Sequence, residues 1–196
     1  MIPRHLQITF ALLVIGVFAM GAYVLTLRHR VAASAVRFGD GRAMAPPVSN
    51  PAEPITLYIA FDDDGILQKR PAMAALPSEP TARAKEVLRT LLNHYVDKPS
   101  PHPIAEGSDV NEVFIVNNSL AVVDLNLAFA EGHRSGVWEE ALTVDSIVAT
   151  LAANMPQIKQ VKILVDGHER ETLAGHADLI GVYQVSDVNR LIQEMQ

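Results

Sequence analysis

Seven histidines and twenty-two carboxylates are this chain's main candidates for chemistry, and three clusters of them have a suggestive spacing. Asp62-Asp63-Asp64-Gly65 resembles the opening of a calcium loop, which needs Gly at its sixth position and Glu at its twelfth. Counted from Asp62 those positions hold Leu67 and Met73, so the run reads as a solvated acidic turn. His133, in Gly132-His133-Arg134-Ser135-Gly136, precedes Glu139 and Glu140 and could act as a general base if a carboxylate oriented it. The plainer reading is a loop histidine ahead of a helix with acids in its first turn. His168 and His176 lie eight residues apart among Glu169, Glu171 and Asp178. Zinc sites use closer spacing or a second ligand pair, so this stretch reads as turns leading to a closing strand near Leu179 to Val185.

Other nucleophiles and cofactor sites leave no trace. The chain has no cysteine, which removes thiol chemistry, disulfides and a lipid-accepting thiol together. No phosphate-binding glycine loop, dinucleotide fingerprint, H-E-x-x-H or G-x-S-x-G is present, and no cofactor or metal is expected. Trp138, the only tryptophan, is either a core or staple residue of the helix that follows His133 or a platform for a ligand or partner.

The elements that must position these groups follow from periodicity. Ile55, Leu57, Ile59 and Phe61 alternate with Thr56, Tyr58 and Ala60, a strand closed by the acidic turn. Ser78-Glu79-Pro80-Thr81 supplies capping residues ahead of Ala84, Val87, Leu88, Leu91, Leu92 and Tyr95, one face of a helix. Residues 112–116 and 120–125 flank Asn117-Asn118-Ser119, which tolerate a left-handed backbone and predict a hairpin. From Gly136 to Met155 the stripe Val144, Ile147, Val148, Leu151, Ala152 and Met155 predicts a second helix, stopped by Pro156. Val161 to Val165 is a further strand, turned by Asp166-Gly167, and Ser186 to Met195 predicts a terminal helix. The order β-α-β-β-α-β implies an α+β domain, a two-layer sandwich with a mixed sheet and both helices on one face.

Ahead of that domain, Leu6 to Leu27 runs twenty-two residues without a charge. As a helix it would span about 33 Å, enough for a hydrocarbon core roughly 30 Å thick. Residues 1–30 are therefore expected to be a transmembrane anchor with basic flanks. A cleaved signal is the alternative, with Ala33-Ser34-Ala35 as the site, but Arg28-His29-Arg30 separates that site from the apolar run. Residues 31–54, rich in Ala and Pro, read as a tether with a reach of roughly 27 Å, and 55–196 as one domain. Arg4 on one flank against Arg28, Arg30 and Arg37 on the other would, counted alone, point the domain into the cytoplasm. Charge divides sharply, with +4 over residues 1–50 and −10 over 51–196. An acidic domain repels phosphate, so no nucleic acid partner is expected.

The segments ITLYIAF, ARAKEVLRTLLNHY, NEVFIVNNSLAVVDLNLAFAEG, WEEALTVDSIVATLAANMPQIKQVKILVDG and ETLAGHADL, taken in that order over residues 55 to 182, resemble the GerMN domain, the sporulation and spore germination module. The resemblance implies a non-catalytic, extracytoplasmic domain tethered to the cytoplasmic membrane, acting through envelope proteins or self-association. It is also similar to ring-building modules of secretion and sporulation channels. With one copy and no cysteine, this chain does not inherit spore formation itself, and no catalytic residue is carried over. The candidate interaction surface is Trp138, His133, His176 and Asp178. Two other readings stay open. A metal-dependent hydrolase using His133, His168 or His176 needs two of them to meet a carboxylate in one cleft. A sensor of a small cell-wall ligand needs Trp138 to line an exposed groove.

Overall fold

Ile55, Leu57 and Ile59 turn inward from a strand that is longer than its periodicity suggested, β1 (Ala52–Phe61). The computed structural model describes residues 51–195. The expected membrane anchor and nearly all of the tether lie outside the described residues. Among the described residues, no helix is long and apolar enough to cross a membrane.

After the acidic turn the chain returns as β2 (Ile66–Ala75), paired antiparallel along the full length of β1. Periodicity did not predict this strand, because ILQKRPAMAA lacks β-branched alternation and carries Pro71. Helix α1 (Pro80–Val96) follows, its first-turn N–H groups at Thr81 and Ala82 capped by the Glu79 carboxylate. It buries the six predicted residues, Ala84, Val87, Leu88, Leu91, Leu92 and Tyr95. Strands β3 (Val110–Val116) and β4 (Leu120–Leu125) form the expected hairpin, with Asn117 and Asn118 left-handed at φ 49 and 57.

The crossover out of β4 holds a short helix, α2 (Leu127–Glu131), and the long α3 (Val137–Asn154). It delivers β5 (Gln160–Val165) parallel to β4. The closing strand shrinks to β6 (Tyr183–Gln184), antiparallel to β5, and α4 (Val185–Glu194) ends the described chain. The larger sheet, in the order β3-β4-β5-β6, is mixed as expected.

One expectation is corrected. The sequence order placed the first strand in the same sheet as the others, whereas β1 and β2 form a separate two-stranded sheet. The reason lies on α3. Its residues Thr143, Ser146, Thr150 and Asn154 form a second, polar stripe along one face. Thr56 N–H donates to Asn154 Oδ1 at 2.9 Å and Asn154 Nδ2 returns a bond to Thr56 O at 2.7 Å. Tyr58 N–H donates to Thr150 Oγ1 at 2.9 Å, and Ser146 Oγ donates to Tyr58 O at 2.6 Å. Ala60 N–H donates to the Tyr95 hydroxyl at 2.8 Å. Helix side chains thus satisfy the edge of β1 that a strand would otherwise pair. The apolar stripe of α3, Val144, Ile147, Val148 and Leu151, meanwhile joins Val113, Val123, Ile163 and Val165 in one core.

Candidate functional site

Four chain segments meet at a buried row of polar groups. Asp62, in the β1–β2 turn, meets His102 Nδ1 at 2.5 Å, and His102 Nε2 meets Thr143 Oγ1 at 2.6 Å. Thr143 Oγ1 also meets His133 Nε2 at 2.7 Å, and His133 Nδ1 lies 2.8 Å from the Arg134 carbonyl. A carbonyl only accepts, so His133 carries a proton on Nδ1. Thr143 Oγ1 donates its one hydrogen to the Glu139 carbonyl at 2.8 Å and faces the Nε2 atoms of both imidazoles. Burial first, and the nearby His102 after it, hold the His133 pKa below the ordinary imidazole value.

Carboxylate, imidazole and hydroxyl in sequence also describe a nucleophilic relay. Here the hydroxyl cannot serve as one. Thr143 has no exposed surface and His102 is 2% exposed, so no substrate reaches the Oγ1. The rings are packed as well, with Tyr95 edge-on to His102 at 4.8 Å and Phe129 tilted against His133 at 5.9 Å. The row fastens the β1–β2 turn and the connections on either side of the hairpin to α3. Asp62 is accordingly turned inward rather than solvated, while Asp63 and Asp64 remain exposed.

A second polar cluster sits behind the start of α3. Glu140 is fully buried, and its Oε2 accepts the backbone N–H groups of Ala174, His176 and Ala177, each at 2.9 Å. His176 Nδ1 meets Glu140 Oε1 at 3.0 Å. Burial would raise this carboxyl, but the three N–H donors and the His176 ring outweigh it and bring the pKa down to about 2. The Ala-Gly-His-Ala turn is thereby clamped to the helix. Asp178 is committed locally, accepting the Ile180 N–H at 2.7 Å. His168 is exposed in the turn after β5, where its N–H and carbonyl bond Val165.

The three histidines singled out from sequence therefore do not converge. His133 meets a hydroxyl and a carbonyl, His176 meets Glu140, and His168 faces solvent. No group of three or more His, Asp or Glu side chains among the described residues is arranged to hold a metal. His102 and its link to Asp62 were missed by sequence reasoning. His102 lies in a Pro-rich connection 40 residues from Asp62, so only the fold brings the two together.

Trp138 departs from the core-or-staple reading. It is 66% exposed, beside Val137 at 62%, on the first turn of α3. A second apolar surface went unnoticed in the sequence. Phe114, 53% exposed, shares the outer face of the larger sheet with its cross-strand partner Val122 and, on β5, Lys162. The Lys162 ammonium donates to the Leu179 and Ile180 carbonyls, which brings the exposed Ile180 to that face. In the run Val113-Phe114-Ile115-Val116 every residue is apolar, so alternation could not say which face was open.

A family model described as Germane, sporulation and spore germination, matches residues 56–171. The tandem GerMN domains of the sporulation protein GerM from Bacillus subtilis are similar in fold, at 21% identity and a TM-score of 0.53, over 69% of this chain and 47% of that one. This chain thus corresponds to about half of the tandem structure. The first GerMN domain of that protein matches at 22% identity and a TM-score of 0.47, over 66% of this chain and 94% of that one. A protein described as a lipoprotein from Clostridium perfringens matches at 19% identity and a TM-score of 0.48, over 76% of this chain and 97% of that one. None of the curated proteins matches.

Proposed function

The chain belongs to the Germane family, sporulation and spore germination, and we propose that it is a non-catalytic module of the cell envelope, tethered to the cytoplasmic membrane and acting through protein contacts. The observation that carries this reading is the exposed Val137–Trp138 pair. Large exposed aromatics dominate binding energy when a partner buries them. This one is mounted rigidly, because the same first turn of the helix is fixed from behind by Glu140. The chemistry-bearing groups, by contrast, are spent on holding the fold. The uncharged run from Leu6 to Leu27 supports the tether, and the −10 charge of residues 51–196 favours a protein partner over lipid headgroups or nucleic acid.

The test is a photo-crosslinking amino acid at position 138 of the full chain, expressed in its own cells. The expected result is a discrete crosslinked partner or a self-dimer that is lost on Trp138→Glu with secondary structure unchanged. Crosslinking no stronger than from exposed Lys69 would sink the proposal. A protease added to intact spheroplasts is expected to digest residues 51–196, and full protection would place the domain inside. Exposure of Trp138 also keeps the small-ligand reading in play. Quenching of its fluorescence by soluble cell-wall fragments, at saturable concentration, would favour that reading over a protein partner.

A further inference from the structure

We propose that the outer face of the larger sheet is a second docking surface, and that it takes an amphipathic helix of a partner protein, apolar along one stripe and basic at one end. The two sides of this sheet are covered unequally. Val113, Val123, Ile163 and Val165 point inward to the helices and are buried, so their neighbours in sequence point the other way. Register sets those neighbours in rows, Val116 beside Leu120 and Gln160, Phe114 beside Val122 and Lys162, and Glu112 beside Asp124 and Leu164. Val182 and Ile180 border the same rows on the approach to β6, where the Ile180 carbonyl takes a bond from Lys162. The open side of such a sheet is ordinarily polar. Here Phe114, Val116, Ile180 and Val182 are exposed, with Leu120, Val122 and Leu164 half-buried beside them. Contiguous apolar surface of this kind marks a contact site.

Charge selects the occupant. Glu112, Asp124, Asp166 and Glu169 gather at one end of the face. Lys85 meets Glu112 at 3.4 Å and Lys162 meets Glu169 at 3.1 Å. Asp124 and Asp166 share the Asn111 amide, at 3.3 and 3.5 Å, and Asp124 also takes the Gly167 N–H at 2.7 Å, but neither has a cationic partner among the described residues. At the opposite end Asn117, Asn118, Gln160 and Gln184 carry no charge. A Lys or Arg arriving at the acidic end is therefore attracted, and a phosphate headgroup is repelled. A second copy of this chain would bring the −10 of its own residues 51–196 against the same acids.

The form of the occupant follows from the edge of the sheet. β3 is its outermost strand, yet Lys85 Nζ donates to the Asn111 carbonyl at 2.5 Å and the Val113 N–H donates to the Glu112 carboxylate at 3.2 Å. Side chains thus cap backbone groups that an added strand would pair. A helix satisfies its own backbone and can lie across the rows, as the domain's helices do on the inner face. The inference rests on the reading of the chain as a protein-contact module. It uses a surface separate from Trp138, so either surface can fail alone.

Benzoylphenylalanine at position 114 of the full chain, in its own cells, keeps an aromatic ring in place and forms crosslinks whose sites are read by peptide sequencing. The expected site is a segment of another protein with apolar residues at i, i+3, i+4 and i+7 and more Lys and Arg than Asp and Glu. Adding Ile180→Glu is expected to cut the yield about tenfold, and Asp166→Asn with Glu169→Gln about threefold, while Trp138→Glu leaves it unchanged. These substitutions are all at exposed positions, and unchanged circular dichroism and Tm show that each variant is folded. A crosslink to this same chain, to lipid or to an acid-rich segment overturns the proposal. So does a yield no higher than from exposed Lys69, or one that Ile180→Glu leaves intact. Crosslinks from position 138 in cells where position 114 gives none would leave the Trp138 reading standing and remove this one.

Discussion

Glu140 holds His176 twice, taking its backbone N–H on Oε2 at 2.9 Å and meeting its ring Nδ1 with Oε1 at 3.0 Å. With Ala174 and Ala177 bonded to the same Oε2, one buried carboxylate organises the whole turn that leads toward β6. Glu140→Gln puts an NH2 group where an oxygen accepts, leaving N–H groups facing N–H groups without solvent. The expected loss is about 2–4 kcal/mol in urea unfolding of residues 51–196. Glu139→Gln, whose partner Arg134 is exposed, is expected to lose clearly less.

The same carboxylate should dominate acid unfolding. Its pKa falls from 4.5 to about 2 on folding, so the stability it contributes is complete above 4.5 and is lost as pH drops through that range toward 2. Integrated over that interval the contribution is about 3 kcal/mol. Urea midpoints measured down the acid range should converge for wild type and Glu140→Gln. Parallel curves would assign the acid transition to other groups.

Asp145 is expected to behave with the opposite sign. Burial raises its carboxyl from 3.8 to about 6, so ionising it opposes folding. The penalty is absent below 3.8, grows as pH rises to 6 and is full above that value. Because the side chain is only partly buried, Asp145→Asn should stabilise by about 1–2 kcal/mol at neutral pH. Near pH 4 the variant and wild type should be closely matched. A destabilised variant at neutral pH would mean the carboxylate has a partner in solution.

Much of this architecture was legible because single-period patterns carried it. The six buried residues of α1, the left-handed Asn117-Asn118 turn and the ends of α3 all come from spacing and turn chemistry, and the GerMN resemblance from the order of those segments. What escaped reading has one common cause, a role fixed by a distant partner. Pro71 faces the outer edge of β2, since its pair Thr56 turns its own N–H and carbonyl toward Asn154. A missing donor is harmless there and blunts a free edge, yet in sequence it argued against a strand. His102 and Glu140 are likewise ordinary in sequence, and only their contacts 40 and 36 residues away give them a task.

The helix-for-strand substitution at β1 is testable on its own. Thr150→Val keeps the shape of this fully buried side chain but removes the acceptor of the Tyr58 N–H. A loss of about 1–3 kcal/mol is expected. Asn154→Ala removes both bonds to Thr56 and should cost a comparable amount. Faster amide exchange at Thr56 and Tyr58, with Ile55 and Leu57 unchanged, would localise the damage to the closed edge. Uniform loss of protection along β1 would instead assign the stripe a packing role.

Gly132 closes α2 immediately before His133, and it has no room for a side chain. A methyl group there would stand 2.2 Å from Ala105 Cβ and 3.0 Å from the Ala128 carbonyl, although the backbone itself, at φ −91, would accept any residue. The obstacle is therefore steric and can be relieved from the other side. Gly132→Ala should destabilise by about 1–3 kcal/mol, because the connection carrying His102 must move away from the segment carrying His133. Adding Ala105→Gly removes the methyl it strikes. In a double-mutant cycle the pair should recover much of the loss, with a coupling of about 1 kcal/mol or more. The His133 ring titration should return to its wild-type position in the double variant. Additive losses would place the strain at the Ala128 carbonyl instead, and the two connections would then be held together by the histidine row alone.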